Sequence, residues 1–302
     1  YTVCFQSRLD KKWLTPFSDK VVEEQGKKGA KRLLAFSPAF VADCLETTVE
    51  INEEYGEIVI CADGKNTWRK EAYPYYKANR KTSRDKSDLD WTNLFNIMNT
   101  VREELKDYFP YKVIHIDRCE ADDIIGTLAK QAEKEGYQVF MVTPDKDFAQ
   151  LVSENIFMYR PARMGNGIEI WGIPEVLEKF EIDRPEQVID YLGMMGDAVD
   201  NIPGLPGVGE KTAKKFLKEY GSMENLLENT HEIKGKLREK IEANKELGLL
   251  SKELAKILLD VPVRFQAEAY ELSKPDEQAV SELFETLEFR RMAENFKKIF
   301  GT

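Results

Sequence analysis

The chain has very little histidine and cysteine, and it lacks long apolar runs. Its 302 residues include two histidines and four cysteines, and the cysteines have neither metal-ligand nor disulfide-framework spacing. This argues against a histidine-based metal centre and against a Ser/His catalytic triad. No stretch approaches the roughly 20 apolar residues of a membrane span, and no apolar signal segment opens the chain. We therefore expect a cytoplasmic protein with no membrane partner.

Negative charge exceeds positive charge overall, but the positive charge is concentrated in two segments. The 44 Lys and Arg residues against 54 Asp and Glu residues give a net charge of -10. Residues 65–86 are nonetheless strongly basic and interleaved with aromatics, and a second group of lysines lies within residues 211–218. Phosphate binding depends on local cation density rather than on whole-chain charge. Nucleic acid therefore stays a candidate partner.

Apolar runs alternate with segments of helical periodicity, which predicts an α/β fold with a mostly parallel sheet flanked by helices. Strands are predicted at 57–62, 112–116 and 137–142, followed by a β-hairpin within 155–171. From residue 174 the pattern is helical, with one helix predicted at 250–259. Residues 31–54 have apolar side chains at helical spacing and are predicted as a helix with a break near Pro38.

Carboxylates follow each of the three predicted strands. They are Asp63, then Glu120, Asp122 and Asp123, then Asp145 and Asp147, and Asp197 and Asp200 join them from the helical region. Because functional groups gather at the carboxyl ends of strands in open α/β sheets, we expect seven of these side chains to converge on one cleft, namely Asp63, Glu120, Asp122, Asp145, Asp147, Asp197 and Asp200. An N-cap or a solvated turn would explain any single acid. All-oxygen ligands favour Mg²⁺ or Mn²⁺, and two such ions suit phosphodiester hydrolysis.

The segment GDAVDNIPGLPGVGEKTAKK, residues 196–215, joins the last acidic pair to a glycine turn. Gly207 and Gly209 precede a predicted helix, so backbone N–H groups there can approach a phosphate with no side chain in the way. An ordinary connection between two helices is the alternative for this turn by itself. The lysines that follow are Lys211, Lys214 and Lys215.

Five motifs, taken together, resemble the 5′-nuclease family. They are ICADG, YYKANR, EADDIIGTLA, TPDKDFAQLV and GDAVDNIPGLPGVGEKTA, in the family's order within about residues 32–270. The family includes flap endonucleases, phage-type ribonuclease H and the 5′→3′ exonuclease domain of bacterial DNA polymerase I. The resemblance implies a PIN-like nuclease domain at 31–172 with a helical arch at about 64–95. It further implies a helix–hairpin–helix DNA-binding domain at 173–270 and a helical tail at 271–302, with 1–30 unassigned.

The family's pattern assigns roles to matching residues of this chain. The resemblance implies two Mg²⁺ ions, replaceable by Mn²⁺, held by a first cluster of Asp63, Glu120, Asp122 and Asp145 and a second of Asp147, Asp197 and Asp200. Lys77 and Arg80 match arch positions that approach the scissile phosphate, and Tyr76 is a candidate for stacking on a displaced base. Arg69 and Arg84 are further nucleic-acid-binding candidates, and a solvated basic face is the alternative for the arch. Gly207 and Gly209 match the hairpin that grips duplex, where the family often holds K⁺.

The implied activity is structure-selective 5′ nuclease cleavage in a bacterial or phage-infected cell. The expected substrates are branched or nicked DNA and RNA–DNA hybrid 5′ ends formed in replication. We expect a monomer, with replication proteins as further candidate partners. Two alternatives stay open: a non-catalytic DNA-junction binder of the same fold, and a detached exonuclease domain of DNA polymerase I.

The chain departs from the family at its beginning. The family opens with an apolar strand that ends in a metal-binding Asp, whereas residues 1–30 contain no such strand and Asp10 is a poor substitute. Either the first strand is lost, or the N-terminus is incomplete or altered, or the protein is not a normal catalyst. We expect weak cleavage that rises with Mn²⁺, which tolerates distorted coordination better than Mg²⁺.

Overall fold

The computed structural model describes residues 57–109, 111–160, 168–271 and 274–286, together with 289–290, 293–294 and 296–297. For residues 33–38 it describes the backbone, which forms a strand. The unassigned segment 1–30 and the greater part of the predicted helix at 31–54 lie outside the described residues. In the described part of the chain, no helix is both long and apolar enough to cross a membrane.

A six-stranded sheet forms the centre of the molecule. Its strands are β1 (Leu33–Pro38), β2 (Glu57–Ala62), β3 (Lys112–His115), β4 (Gln138–Val142), β5 (Ile156–Arg160) and β6 (Glu169–Trp171). The spatial order is β3-β2-β1-β4-β5-β6, with the first five strands parallel and β6 antiparallel to β5. The predicted mostly parallel sheet and terminal hairpin are therefore confirmed. The strand order reverses at β1, where ligand sites form in folds of this kind.

Strand β1 corrects the predicted helix at 31–54. Its backbone pairs with β2 on one side and β4 on the other, with Ser37 opposite Ile60 and Phe36 opposite Met141. The sequence of a strand between two parallel neighbours is usually a continuous apolar run, and a short run of that kind also fits helical spacing. A strand therefore lies at this central position, and its sequence, LLAFSP, contains no acid.

Helices cover both faces of the sheet. The α-helices are α1 (Trp68–Ala72), α2 (Ala78–Asp85), α3 (Trp91–Tyr108), α4 (Ala121–Lys134), α5 (Ile173–Phe180), α6 (Gln187–Met195), α7 (Glu210–Tyr220), α8 (Met223–Glu228), α9 (Lys236–Ala243), α10 (Lys245–Ala255) and α11 (Glu277–Thr286). Short 3₁₀ helices lie at Lys146–Leu151, Thr230–Glu232 and Ala267–Ala269.

Successive residues of β2 enter two different cores. Val59 and Cys61 pack with α4 and the helical region, whereas Ile58 and Ile60 pack with α3 and α11. Strands β4 and β5 alternate in the same way. Burial of both faces explains why these strands appear in the sequence as uninterrupted apolar runs. Each fully buried aliphatic side chain contributes about 1.5–3 kcal/mol of transfer free energy.

The chain returns from the helical region to the sheet through an extended segment, residues 256–271, which we call the strap. The helix predicted at 250–259 ends at Ala255, and the strap then runs along α4. One row of α4 side chains, Asp123, Thr127 and Gln131, binds the strap backbone; Gln131, for example, accepts from Phe265 N at 2.7 Å. The strap ends beside β2, where Ile58 N donates to Tyr270 O at 3.3 Å.

Candidate active site

The loop from Gly196 to Gly204 sets the positions of Asp197 and Asp200. Both glycines have positive φ, and a Cβ on Gly204 would lie 2.6 Å from Gly196 N, so the backbone approach excludes a side chain. Asp197 and Ile202 exchange backbone hydrogen bonds of 2.9 and 2.8 Å, which closes the loop. The two acids are thereby presented on a rigid turn.

The first group of carboxylates lies where β2 and α4 meet. Asp63 accepts a hydrogen bond from Ala121 N at 2.8 Å, which joins the end of β2 to the start of α4. Glu120 is the N-cap residue of α4 and is buried. Burial, with the nearby charges of Asp145, Glu120 and Asp63, raises the pKa of Asp122 to about 8. The acids after β2, β3 and β4 therefore act on one another across the edge of the sheet.

The second group lies at the end of β4, next to the 196–204 loop. Asp145 accepts from Asp147 N at 3.1 Å and caps the 3₁₀ helix that follows β4. Burial raises the pKa of Asp145, with Asp200 and Asp197 adding to the rise. Burial and the charge of Asp145 likewise hold the pKa of Asp147 well above its usual range. All seven acids of the two predicted clusters thus belong to one electrostatic network. Asp123 is fully buried next to this network, where it accepts from Glu120 N and bonds Arg69.

Cationic side chains form ion pairs with three of these carboxylates. Lys77 Nζ lies 2.8 Å from Glu120 Oε1 and 3.6 Å from Asp200 Oδ2, and Arg80 bonds the other oxygen of Asp200. Lys146 bonds Asp197 at 2.8 Å. Sequence reasoning assigned no role to Lys146, although its position between the two acids of TPDKD was a visible signal. These ammonium and guanidinium groups offset part of the negative charge of the carboxylates.

The residues present fit a divalent metal in charge and in ligand type. Among the described residues, no three acids, histidines or cysteines enclose a ready-made metal position. The carboxylates nevertheless supply only oxygen ligands, which suits Mg²⁺ and Mn²⁺. In the described part of the chain, the buried Oδ1 of Asp147 has no hydrogen-bond partner, and such an atom calls for a cation or a water. A metal would replace the lysine contacts described above.

The structure corrects the roles predicted for Arg69 and Tyr76. Arg69 is only 3% exposed and Tyr76 only 4%. The Tyr76 hydroxyl donates toward Glu120 at 3.0 Å and Asp200 at 3.1 Å, so its ring is not free to stack on a base. The exposed aromatic ring of this motif is that of Tyr75, which is 65% exposed and which sequence reasoning missed. No signal in the sequence separates the two adjacent tyrosines.

The outer part of the predicted arch is formed by α2 and the first turns of α3. Arg84 lies partly exposed on α2, with its guanidinium 5.3 Å from the centre of the Phe95 ring. Leu89, Leu94 and Ile97 are exposed nearby. The arch is therefore basic on the side of Lys77 and Arg80 and more apolar at its far end.

The glycine hairpin forms a second exposed surface. Gly207 has a φ of 90°, and Gly209 is the N-cap residue of α7 with open space around its Cα. Lys214 is held by Glu181 at 3.1 Å and Glu210 at 3.2 Å. Lys215 is mostly exposed near Glu219, and exposed Lys211 has no ion pair among the described residues. Lys240 of α9 also lies beside Gly207, a neighbour that sequence spacing could not reveal.

Comparison with known proteins identifies the class. A family described as "5'-3' exonuclease, N-terminal resolvase-like domain" matches residues 36–181, and "5'-3' exonuclease, C-terminal SAM fold" matches residues 183–278. The chain belongs to the 5′-nuclease family, within its 5′-3′ exonuclease group.

Among individual relatives, DNA polymerase I of Bacillus subtilis is 40% identical over 233 residues, which is 76% of this chain and 25% of the relative. The thermostable DNA polymerase I of Thermus thermophilus is 38% identical over 245 residues, 80% of this chain and 27% of the relative. The chain thus spans about a quarter of the length of these curated relatives.

Solved structures share the fold at low sequence identity. The T5 D15 protein co-crystallised with metal ions has a TM-score of 0.64 at 19% identity, covering 89% of this chain and 99% of its own. The catalytic core of Rad2 in complex with a DNA substrate has a TM-score of 0.57 at 15% identity, covering 90% and 93%. These likenesses support the nuclease fold and, at such identities, the fold alone.

Proposed function

We propose that this protein is a Mg²⁺-dependent, structure-selective 5′ nuclease that cleaves flaps and RNA–DNA hybrid 5′ ends. The observation that carries the proposal is the network of seven carboxylates at the carboxyl edge of the sheet, which Lys77 and Arg80 reach from the arch. The names of relatives add support, since the relatives described above are named DNA polymerase I and the structural neighbours include complexes with DNA.

The proposed metal ligands are the two predicted clusters of carboxylates. Asp63, Glu120, Asp122 and Asp145 would hold one divalent cation, and Asp147, Asp197 and Asp200 the other. When bound, the cations supply Lewis-acid chemistry at the phosphodiester. The hydrogen-bonded 196–204 loop and the cap made by Asp145 set the positions of Asp197, Asp200 and Asp147.

Lys77 and Arg80 would neutralise the charge that develops on the phosphate. Both now bond carboxylates, and burial of Lys77 is outweighed by Glu120 and Asp200, which raise its pKa and keep it cationic. Occupation of the carboxylates by metal would free both side chains toward the substrate. Tyr75, exposed beside them, is the aromatic ring available to a displaced base.

The hairpin and Lys211 would grip duplex through phosphates, without reading sequence. The exposed turn at Gly207 leaves backbone groups open to a phosphate or to K⁺, and a K⁺ dependence of duplex binding tests the second assignment. The decisive experiment for the whole proposal is cleavage of a 5′-labelled flap and of an RNA–DNA hybrid, with and without Mg²⁺. Metal-dependent cuts near the junction support the proposal. Duplex binding without cleavage in Mg²⁺ or in Mn²⁺ would instead support the non-catalytic junction binder.

One observation argues for weak catalysis and, if cleavage is absent, for the junction binder. Strand β1, which lies between the strands leading to Asp63 and Asp145, ends in Ser37 and Pro38 instead of an acid. The missing carboxylate weakens metal binding at a central position. We therefore propose slow cleavage in Mg²⁺ and faster cleavage in Mn²⁺, since Mn²⁺ accepts a distorted ligand set more readily.

A further inference from the structure

All three guanidinium nitrogens of Arg69 donate hydrogen bonds to other groups of the protein. Its Nε donates to Leu254 O at 2.9 Å and its Nη2 to Lys256 O at 2.7 Å. Its Nη1 donates to Glu120 Oε2 at 2.7 Å, and both terminal nitrogens contact Asp123, each at 2.9 Å. Five contacts match the five N–H donors of an arginine, so this side chain has no donor left for a phosphate.

The partners of Arg69 come from three parts of the molecule. Glu120 belongs to the candidate metal site, Asp123 to the first turn of α4, and the two carbonyls to the junction of α10 with the strap. Asp123 also contacts the strap and α1, because it accepts from Leu258 N at 3.0 Å and from Trp68 Nε1 at 3.0 Å. The base of the arch, the metal site and the strap therefore meet at one buried ion pair.

The two oxygens of Glu120 are held in different ways. Oε2 accepts from Arg69 and from the Tyr76 hydroxyl, both of which are buried. Oε1 contacts Lys77 Nζ, and Lys77 belongs to the arch. A buried arginine bonded on every donor cannot exchange partners without leaving a charge unpaired, which is strongly unfavourable. Oε1 is therefore the oxygen that can exchange its lysine for a metal.

We propose that Arg69 is a positioning residue that fixes Oε2 of Glu120 so that Oε1 stays directed toward the metal position. The same contacts tie that geometry to the seating of the strap on α4. This inference rests on the proposed function, since it needs a divalent cation at the carboxylates. It places Arg69 in support of the site, not in contact with nucleic acid.

The test measures Mn²⁺ binding to the full chain without DNA, by electron paramagnetic resonance of the free ion, alongside the melting temperature. Arg69→Lys keeps the charge but loses the fork, and we expect Mn²⁺ affinity to fall roughly 10–100-fold, the usual effect of removing a residue that orients a ligand. Asp123→Asn, which frees one side of Arg69, should weaken affinity in the same direction. Flap cleavage by Arg69→Lys should recover as Mn²⁺ is raised.

Lys252→Gln is the matched control. Lys252 bonds Asp190 at 2.6 Å and Glu224 at 2.7 Å, so it joins helices in the same way but contacts none of the seven carboxylates. Its loss should lower the melting temperature and leave Mn²⁺ affinity unchanged. Wild-type affinity in folded Arg69→Lys, or an equal loss in Lys252→Gln, would overturn the inference.

If Arg69→Lys does not fold, Asp123→Asn carries the same test, with wild-type affinity again overturning the inference. A wild-type chain that neither binds Mn²⁺ nor cleaves would overturn the proposed function itself, and the inference with it. A wild-type chain that binds and cleaves, with variants of unchanged affinity, would overturn only the role of Arg69.

Discussion

The carboxylate site and the glycine hairpin both belong to the proposed nucleic-acid surface, yet they are built in opposite ways. At the carboxylate site, several acids are held by side chains of the protein: Glu120 by Arg69, Tyr76 and Lys77, and Asp197 by Lys146. At the hairpin, the turn has no side chain at Gly207 or Gly209, and Lys211 is exposed. Fixed charges suit chemistry at one phosphate, whereas an open backbone suits a grip on any duplex.

The largest expected effect comes from removing one charge of the fixed site. Asp145→Asn keeps an acceptor for Asp147 N, so the cap and the fold should survive, but a proposed metal ligand is lost. We expect flap cleavage to fall by more than the ~100-fold that loss of a supporting residue causes. Initial rates at saturating Mg²⁺ measure this. Asp117→Asn, at an exposed acid after β3, should cleave as wild type, and an active Asp145→Asn would contradict the site.

Lys77→Ala tests the arch side of the same site. Removing a cation aimed at developing charge should slow the cleavage step by about 10²–10³-fold. Substrate binding, measured by anisotropy in Ca²⁺, should change little, because the proposed role of Lys77 is to neutralise charge that develops during cleavage. Lys134→Ala, at the far end of α4, serves as the control. A large loss of binding with an unchanged single-turnover rate would show that Lys77 contributes to substrate binding and not to the cleavage step.

Ser37→Asp sharpens the comparison by adding a charge to the fixed site. If the end of β1 is the position of the missing ligand, the substitution should raise Mg²⁺-dependent cleavage by ~10-fold or more and reduce the advantage of Mn²⁺. The ratio of rates in the two metals is the measurement, with Ser37→Asn as the uncharged control. Equal gains from Asp and Asn would show that charge is not the cause.

The smallest effect is expected at the hairpin. Lys211→Ala should weaken binding alike for all duplex sequences and reduce the slope of log K against log salt by about one. Lys214→Ala should have a smaller effect, because Lys214 is already bonded to Glu181 and Glu210. Titrations of two unrelated duplexes at several salt concentrations compare the variants. Loss confined to one sequence would contradict a backbone grip.

Strands β2, β3 and β4, the hairpin and most helices could be predicted from the sequence, because each has a clear periodicity and is bounded by turn residues. Strand β1 could not, since its six residues fit two periods and its partners β2 and β4 follow it at a distance in the chain. Placement of the acids at strand ends followed from topology. The inward direction of Arg69 and Tyr76 did not, because it depends on Asp123 and Glu120, about fifty residues further along.

The strap also has a consequence for the order of events during synthesis. Residues 256–271 satisfy polar groups of α4 and carry the carbonyl of Lys256 that Arg69 requires. Until residues 256–271 have left the ribosome, Asp123 and Gln131 of α4 lack these hydrogen-bond partners. The five acids that follow β2, β3 and β4 are encoded before residue 150, but their surroundings therefore reach the final geometry only after the helical region that follows has emerged.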